Sequence, residues 1–486
     1  MQLPRWWVGA CCTAVPLLLG GCSIQGQLLG KPAQDLPLPP GIELAFNHNS
    51  SHHYRSPITG RWRAGDDLEA FVLSTIATAK QEILVAVQEL SLPKVAEALV
   101  AKQRQGVSVK VVLENTYSTP WSEEHLADLV PHQRKRHQQL EQLGWGDALL
   151  ILQRGGVPML DDTADGSAGS GLMHHKFMVV DRKVVVAGST NFTPSCIHGD
   201  PDDPQSRGNV NHLMRFHSPE LAAVFAAEFG RMWGDGPGGK PDSRFGVAKG
   251  EGALQQVMVG PTRVGVLFAP HRRSDPNQGL LLLEQLLATT KKTVDLALFV
   301  LSEQGIADAL ASLQAKGVAI RLLADPGFAN RSFSEILDLL GTQLPDRNCK
   351  VEASNRPWRK PLDGVGTPRL APGDKLHHKL AVIDGRTVIT GSFNWSPSAA
   401  HQNDETLLVI ESPLLAKHFT AEINRLWKGA ELGITARLER KQARLRKLCG
   451  GLSSGSPNAV QNVGDPAKPK QNPPGLRGIQ QGQDRG

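Results

Sequence analysis

Two stretches of the chain carry the same alternation of apolar and polar positions. Residues 82–115 and 293–325 each begin with an apolar run of strand length, continue with apolar residues three to four apart, and end in a second apolar run. A shift of 211 residues superposes them without a gap and places Gly106 on Gly317. Each stretch therefore predicts a strand, a helix that ends at a glycine, and a second strand, which together form a β-α-β unit.

Each β-α-β unit belongs to a longer duplication. A short strand-like piece ending at Phe46 or Phe268 precedes each unit, followed by an amphipathic stretch over Leu68–Lys80 or Gly279–Thr290. Because β-α-β units form parallel sheets covered by helices, we expect an α/β protein of two duplicated α/β/α domains with largely parallel sheets. The predicted organisation is an N-terminal domain (42–235), a Gly- and Pro-rich linker (236–254), a C-terminal domain (255–432), and a basic helix with a disordered tail (433–486).

The first residues have the pattern of an export signal. An apolar run of 14 residues, Trp6–Leu19, is too short to cross a bilayer core of roughly 30 Å as a helix. It ends in Leu19-Gly20-Gly21-Cys22, which resembles the lipobox of bacterial lipoproteins. The resemblance implies a signal peptide over 1–22, a lipid on Cys22, and anchoring in the bacterial cell envelope on the periplasmic or outer-membrane side. An ordinary signal peptide with a coincidental cysteine is the alternative.

Composition and charge narrow the choice of partner. The chain is 40% apolar and 21% charged, which is typical of a globular protein. Its formal net charge is +6, but ten Lys and Arg against three acids give residues 437–486 a charge of +7, so the preceding residues sum to −1. Because residues 1–436 are nearly neutral, their charge does not favour a domain that binds a polyanion such as nucleic acid. Beyond the leader, Cys196, Cys349 and Cys449 suit neither a zinc site nor a disulfide framework, although one bridge is compatible with export.

The strongest signal is a motif that occurs once in each half. It reads H-x-K, four residues, D, six residues, and G-S-x-N, and both copies match without a gap. Six fixed positions, matched twice at corresponding places, make coincidence negligible. The motif residues are His174, Lys176, Asp181, Ser189 and Asn191 in the first half, and His377, Lys379, Asp384, Ser392 and Asn394 in the second half.

The residue types of this motif suit chemistry on a phosphate group. Strand alternation places the histidine and the lysine on one face, about 7 Å apart. An imidazole can attack phosphorus or transfer a proton, and a lysine can stabilise charge on phosphate oxygens. The Gly-Ser-x-Asn turn can bring a hydroxyl and an amide to the same oxyanion. The chain has no motif with metal-site spacing, so we expect no metal.

Two pairs of residues in and beside the motif need separate interpretations. Asp181 and Asp384 follow their histidines by an odd number of residues, so a straight strand would point them to the opposite face. Each aspartate therefore either follows a bend or orients the histidine of the other half. The second histidines, His175 and His378, lie on the other strand face and are interpreted as packing residues.

The double H-x-K-x4-D motif resembles that of the phospholipase D superfamily, and the resemblance covers residues 42–432. It implies a monomer that is an internal pseudo-dimer, with the active site at the interface of its domains and no cofactor. It also implies that one histidine attacks phosphorus to form a phosphohistidine, while the other protonates the leaving alkoxide and then activates water or an alcohol. The order common in the family makes His174 the nucleophile and His377 the acid and base, which the sequence itself does not distinguish. The lysines, serines and asparagines of the motif would hold the phosphate.

The two halves differ after the motif. The second half has Asn403-Asp404-Glu405, and Glu405 matches the acid that the family often places behind its catalytic residues. The first half has Asn209-Val210-Asn211 there, after an additional loop over Cys196–Arg207. We therefore expect a supporting carboxylate only in the second half.

Three functions fit this pattern. The first is hydrolysis or transfer of phospholipid headgroups, because a lipid anchor raises the effective concentration of a substrate in the same surface. The basic amphipathic segment Ile434–Leu448 would then bind an anionic membrane, with a solvated terminal helix as the alternative. The second is an endonuclease, since compact nucleases of the superfamily and cardiolipin-hydrolase-like members share the His-His-Lys form of the motif. The third is a non-catalytic envelope lipoprotein that retains the fold.

Overall fold

The structure is a computed structural model that describes residues 36–166 and 171–449. Every helix and strand belongs to the compact unit that begins at Pro37. The predicted signal peptide, Cys22 and the predicted disordered tail over 450–486 lie outside the described residues. Among the described helices, none is both long and apolar enough to cross a bilayer.

The N-terminal half contains the first of the two predicted β-α-β units. Its strands are β1 (Ile42–Phe46), β2 (His53–Arg55), β3 (Trp62–Ala64), β4 (Glu82–Val87), β5 (Ser108–Leu113), β6 (Met159–Asp161), β7 (Lys176–Val180), β8 (Val184–Gly188) and β9 (His212–His217). Its helices are α1 (Leu68–Thr78), α2 (Pro93–Arg104), α3 (Pro131–Gln142), α4 (Ala148–Arg154), α5 (Pro194–Ile197) and α6 (Pro219–Trp233).

The main sheet of this half is mixed, with strand order β1-β9-β8-β7-β4-β5-β6. Only β4, β5 and β6 run parallel, and each remaining neighbour pairs antiparallel. The prediction of a largely parallel sheet is therefore wrong. A helical crossover makes β4 and β5 parallel, but β7 and β8 are joined by a tight turn at residues 181–183, and a short turn permits only antiparallel pairing.

The C-terminal half repeats this plan. Its strands are β10 (Gln255–Val259), β11 (Thr262–Ala269), β12 (Thr293–Leu298), β13 (Ala319–Ala324), β14 (Val365–Thr367), β15 (Lys379–Ile383), β16 (Thr387–Gly391), β17 (Glu405–Glu411) and β18 (Glu431–Leu432). Its helices are α7 (Gly279–Ala288), α8 (Gln304–Ala315), α9 (Ile336–Leu339), α10 (Pro397–His401), α11 (Pro413–Trp427) and α12 (Ala436–Leu448). The sheet order is β10-β11-β17-β16-β15-β12-β13-β14-β18, again with only β12, β13 and β14 mutually parallel.

Helices α6 and α11 form a central layer between the two sheets. Phe225 of α6 packs its ring edge-on against Phe177 of the first sheet and against Phe268 of the second, with centroids 5.0 and 5.3 Å apart. Phe419 of α11 packs against Phe46 of the first sheet at 5.2 Å. The two halves therefore share one continuous apolar core, which fixes the position of one sheet relative to the other. Helices α1, α2 and α4 cover the outer face of the first sheet, and α7, α8 and α12 cover that of the second.

The two central helices begin in the same way. Ser218 and Ser412 are the N-cap residues, and their hydroxyls accept hydrogen bonds from the third residue of each helix. A proline follows each serine at the first helical position, where its missing N–H costs nothing. Duplicated sequence thus produces duplicated local structure in the layer that joins the halves.

The segment predicted as a linker, 236–254, packs against both halves. Lys249 is 3% exposed in its side chain and forms ion pairs with Glu228 of α6 and, at 2.6 Å, with Asp404. Burial raises the pKa of Asp404, whereas Glu228 is held below its ordinary pKa, against the effect of burial, by Lys249 and His175. Because a buried charge without a partner is costly, these contacts fasten the segment to the interface of the halves.

Helix α12 uses part of its apolar face for packing. Leu438 and Leu445 are buried against the core of the C-terminal half, while Ile434 and Leu448 are exposed. A disulfide between Cys349 and Cys449, with Cα atoms 5.5 Å apart, ties the end of the helix to the segment between α9 and β14. The segment is therefore a docked helix with a basic outer face, and its binding to an anionic membrane stays a prediction.

Candidate active site

The two motif histidines lie where the halves meet. The backbone N–H of His174 donates to the carbonyl of Asp404 at 3.0 Å, and the N–H of His377 donates to the carbonyl of Val210 at 3.1 Å. Each histidine is two residues before its strand, β7 or β15, and is held by a backbone group of the other half. The duplication thus brings both imidazoles to one seam.

The imidazole of His174 is oriented by Glu405 of the other half. Its Nδ1 lies 2.8 Å from Oε2 of Glu405, and both side chains are fully buried. The same carboxylate oxygen accepts a hydrogen bond of 2.6 Å from the hydroxyl of Ser392. A carboxylate at Nδ1 holds the proton on that nitrogen, so Nε2 is the atom that can act on a substrate.

The imidazole of His377 is oriented in the same way, but by neutral groups. Its Nδ1 donates to Oδ1 of Asn211 at 3.0 Å and lies 3.1 Å from the carbonyl oxygen of Ser189. The amide N–H groups of Asn211 donate to the carbonyls of Cys196 and Asn209, which identifies its other atom as the oxygen. Since both partners of Nδ1 are acceptors, Nδ1 carries the proton and Nε2 again faces the chemistry.

Asn211 and Glu405 hold equivalent positions in the two halves, as the matched triplets Asn209-Val210-Asn211 and Asn403-Asp404-Glu405 predicted. The sequence indicated that a carboxylate is present at only one of these positions. It did not indicate that each residue acts on the histidine of the opposite half. The result is an asymmetric pair, with a charged partner at His174 and a neutral partner at His377.

Both motif lysines are buried beside their histidines. Lys176 and Lys379 are each 1% exposed, and each Nζ donates to the carbonyl of the histidine two residues earlier, at 2.9 and 3.0 Å. A buried ammonium held at the backbone of each histidine can neutralise an anionic substrate.

Two residues of the site were missed in the sequence. Oε1 of Gln88 accepts from Nζ of Lys176 at 3.2 Å and from the amide of Asn191 at 3.0 Å. The equivalent residue in the second half is Phe299, whose ring centroid lies 4.8 Å from Nζ of Lys379 and 4.8 Å from the ring of His377. The shift of 211 residues that aligns the halves places Gln88 opposite Phe299. This alignment could have identified both residues from the sequence.

The motif aspartates do not approach the histidines. Asp181 and Asp384 have φ angles of 51° and 52° in the turns after β7 and β15. About 23 Å of extended chain separates each aspartate from its histidine. The carboxylate of Asp181 accepts from the backbone N–H groups of residues 80–82, and that of Asp384 from residues 291–293. The suggestion that they orient a histidine, and their assignment as catalytic, are therefore wrong; they follow a bend and fix the loop before β4 or β12.

The motif serines contact protein groups in the described structure. The hydroxyl of Ser189 donates to Oδ1 of Asn211 at 2.8 Å, just as that of Ser392 donates to Glu405. Each serine therefore fixes the residue that orients a histidine, and its contact with phosphate stays a prediction. Binding of phosphate stays a prediction for Asn191 and Asn394, each 6–8% exposed.

The second histidines of the motifs are fully buried in the central layer. Nδ1 of His175 lies 2.9 Å from the hydroxyl of Thr406, and Nδ1 of His378 lies 3.1 Å from Nδ1 of His212. Burial lowers the pKa of all three histidines below its ordinary value. Neutral imidazoles that bond across the interface agree with the interpretation of His175 and His378 as packing residues. Across residues 36–166 and 171–449, no group of three or more His, Cys, Asp or Glu side chains is arranged to hold a metal ion.

Comparisons with known proteins agree with this geometry. The profile of the family described as "Cardiolipin synthase, PLD-like domain" matches residues 72–233 and 283–427, together more than half of the chain. Mitochondrial cardiolipin hydrolase of Chlamydomonas reinhardtii is 28% identical over 141 residues, which are 29% of this chain and 54% of that protein. Phospholipase D of Rickettsia bellii is 30% identical over 131 residues, 27% of this chain and 55% of that protein. The chain thus spans about half the length of these curated relatives.

A solved structure extends the likeness to both halves. The crystal structure of phosphatidylserine synthase from Haemophilus influenzae Rd KW20 superposes with a TM-score of 0.52 at 13% identity, covering 86% of this chain and 95% of that one. At this identity the likeness concerns the fold alone. The two family matches, each containing one H-x-K motif, confirm the resemblance that the motif predicted. The chain therefore belongs to the phospholipase D-like family and contains its domain twice.

Proposed function

We propose that the protein is a phosphodiesterase that cleaves, or transfers, the headgroup of a phospholipid through a covalent phosphohistidine. The observation that carries the proposal is the crossed arrangement of the histidines, in which Glu405 and Asn211 each fix Nδ1 of the opposite half. Two imidazoles with fixed tautomers supply a nucleophile and a general acid. The two buried lysines supply positive charge for one phosphate group.

In the first step, Nε2 of His174 attacks the phosphorus atom. The bond from phosphorus to the oxygen of the headgroup breaks, and the imidazolium of His377 gives its Nε2 proton to that oxygen. The headgroup leaves as a neutral alcohol, and the phosphatidyl group stays on His174. Lys176 and Lys379 stabilise the charge on the non-bridging oxygens throughout.

In the second step, a water molecule replaces the departed alcohol. Nε2 of His377, now neutral, takes a proton from the water as its oxygen attacks phosphorus. The bond between phosphorus and Nε2 of His174 breaks, which releases phosphatidate and restores both histidines. An alcohol in place of water would give transfer of the phosphatidyl group by the same route.

The unequal partners support the assignment of His174 as the nucleophile. An imidazole phosphorylated at Nε2 with a proton on Nδ1 is positively charged, and the carboxylate of Glu405, 2.8 Å from Nδ1, stabilises that charge. His377 must gain and lose a proton in each cycle. A neutral amide at its Nδ1 stabilises the charged form less than a carboxylate would, so the proton is released more easily.

Phospholipid is preferred over nucleic acid as the substrate because the relatives matched by sequence bear the names phospholipase D and cardiolipin hydrolase. Purified protein should release headgroups from vesicles of phosphatidylcholine and phosphatidylglycerol at a rate at least roughly a hundredfold above its nicking of plasmid DNA in the same buffer. The variant His377→Asn, assayed in parallel, should lose the lipid activity. Efficient plasmid cleavage without headgroup release would favour the nuclease instead, and inactivity on both substrates would favour the non-catalytic lipoprotein.

We also propose that the protein is exported and anchored by a lipid on Cys22. The disulfide between Cys349 and Cys449 supports export, because structural disulfides persist in oxidising compartments. In a bacterial host supplied with radioactive palmitate, the protein should be labelled, and Cys22→Ser should remove the label. The control Cys12→Ser, within the predicted signal peptide, should keep it. Label retained on Cys22→Ser would contradict the anchor.

A further inference from the structure

A two-stranded hairpin distinguishes the first half from the second. In the first half, 21 residues (47–67) join β1 to α1, whereas nine residues (270–278) join β11 to α7 in the second half. The longer connection folds into β2 and β3, which pair antiparallel and form a separate two-stranded sheet. The reactions described above use no residue of this hairpin. Because the second half folds without such a hairpin, the shared fold does not require it.

The hairpin has an inner face packed on the protein and an outer face open to solvent. Its register places Arg55 opposite Trp62 on one face and Tyr54 opposite Arg63 on the other. On the inner face, the hydroxyl of Tyr54 lies 3.3 Å from Nδ1 of His198, and the two ring centroids are 6.2 Å apart. On the outer face, Trp62 is 74% exposed and lies beside the exposed Arg55. A large aromatic ring is thus held in solvent by a hairpin whose other face contacts the protein.

The charges of the hairpin have one sign. Residues 47–65 contain three arginines and no acid. The two acids that follow serve its base, where Asp66 accepts a hydrogen bond of 2.7 Å from the last backbone N–H of β1 and Asp67 caps α1. Arg55 and Arg61 are exposed. The solvent side of the hairpin therefore attracts anions.

Hydrogen bonds hold the tip of the hairpin in one conformation. The backbone N–H of Ser56 donates to the carbonyl of Arg61 at 2.8 Å, and that of Gly60 donates to the carbonyl of Ser56 at 2.9 Å. Nε of Arg55 donates to the carbonyl of Gly60 at 2.8 Å. A surface that is already ordered loses little conformational entropy when it binds a partner.

The base of the hairpin lies close to His377. Asn47 directly follows β1, and its Oδ1 accepts from the backbone N–H of Asn211 at 2.8 Å. Asn211 is the residue that fixes Nδ1 of His377. Gly65 packs so closely on Asn47 that a Cβ would lie 2.0 Å from its carbonyl oxygen. Only three residues, about 10 Å of strand, lead from Gly65 to Trp62, so a partner of the outer face is brought close to the proposed reaction.

We propose that the outer face of this hairpin binds an anionic phospholipid bilayer, with the ring of Trp62 among the headgroups and Arg55 and Arg61 at lipid phosphates. The inference rests on the proposed function, because it supplies the surface from which the substrate comes. Tryptophan favours the boundary between water and hydrocarbon, and the planar guanidinium of arginine matches the geometry of phosphate. This surface is distinct from the predicted lipid on Cys22 and from α12.

A bilayer fits this face better than a nucleic acid does. Proteins that hold a nucleic acid strand normally offer a groove with a row of aromatic and basic groups along it. The hairpin presents one ring between two exposed arginines, which suits the thin headgroup layer of a membrane. Each arginine near an anionic leaflet adds to the attraction.

Fluorescence of Trp62 tests the docking without any reaction. Vesicles of brominated phosphatidylglycerol should quench the tryptophan emission of the intact wild-type protein more than that of Trp62→Phe, and brominated phosphatidylcholine should give a smaller difference. Since the two chains differ only at this residue, the other tryptophans and the predicted anchor contribute equally to both.

Arginine variants test the role of charge in the same assay. The double variant Arg55→Gln and Arg61→Gln, compared with its own Trp62→Phe counterpart, should show a several-fold smaller difference in quenching by phosphatidylglycerol. The matched control is Arg182→Gln, which removes an exposed arginine from the turn after β7 and should keep the wild-type difference.

Headgroup release then separates this inference from the proposed function. On phosphatidylglycerol vesicles, Trp62→Ser should be about tenfold slower than the wild type, while its kcat/KM for monomeric short-chain phosphatidylglycerol should be unchanged. Equal quenching of wild type and Trp62→Phe would overturn the inference even if lipid is hydrolysed. Quenching of Trp62 by a DNA oligonucleotide but not by vesicles would also overturn it. Quenching by brominated lipid without headgroup release would confirm the docking and contradict only the proposed function.

Discussion

The variant His174→Asn should turn over phospholipid about 10⁴-fold more slowly than the wild type, or not measurably. Asparagine fits the buried site and can still bond to Glu405, but its amide has no lone pair that can attack phosphorus. Loss of the nucleophile also abolishes the covalent intermediate. The measurement is headgroup release, together with acid-quenched trapping of protein labelled by substrate that carries ³²P.

The pair of histidine variants distinguishes the two roles. His377→Asn removes the acid and base but leaves the nucleophile, so an activated aryl phosphodiester, whose leaving group needs no proton, should still label it. Because activation of water is lost, that label should persist longer than in the wild type. Label on His174→Asn and none on His377→Asn would reverse the assignment, and circular dichroism of both variants shows whether the fold is retained.

The variant Glu405→Gln should reduce kcat by about 10³-fold with little change in KM. The glutamine keeps the size of the side chain but removes the negative charge 2.8 Å from Nδ1 of His174. It also provides an N–H group where the structure has an acceptor shared by His174 and Ser392, so one hydrogen bond is lost or the imidazole takes the wrong tautomer. Steady-state kinetics over a range of pH separate this effect from a change in substrate binding.

A matched control exists on the same strand. Glu411, the last residue of β17, is exposed and pairs with Arg263 at the surface, so Glu411→Gln should behave as the wild type. A kcat of Glu405→Gln within tenfold of the wild-type value would show that the carboxylate does not stabilise the phosphohistidine. The assignment of His174 as nucleophile would then lose its structural support.

Much of the site was predictable because it was duplicated. Two H-x-K motifs at equivalent places identified the histidines and lysines, and strand alternation separated His174 and Lys176 from the packing residue His175. The same reasoning failed for Asp181, because the side chain caps the backbone of residues 80–82 in a turn. Proximity along the motif gave no information about this contact, which joins groups about 100 residues apart.

The direction of neighbouring strands in the sheets was likewise predictable only in part. The β-α-β pattern correctly predicted parallel pairing of β4 with β5 and of β12 with β13. It could not indicate that β7 inserts antiparallel beside β4, because which strands become neighbours depends on contacts distant in sequence. The packing of the predicted linker was not predictable for a related reason, since Gly and Pro content does not reveal that Lys249 pairs with Asp404 and Glu228 between the halves.

The amino-acid sequence alone determined the duplication, the α/β class, the histidines and lysines of the candidate site and the presence of a single supporting carboxylate, because these depend on residue type and local periodicity. Tertiary structure decided that His174 receives that carboxylate from the opposite half, that Asn211 contacts His377, and that the motif aspartates bind distant backbone N–H groups. These features depend on groups about 100 to 230 residues apart that meet only when both sheets pack on the shared central helices.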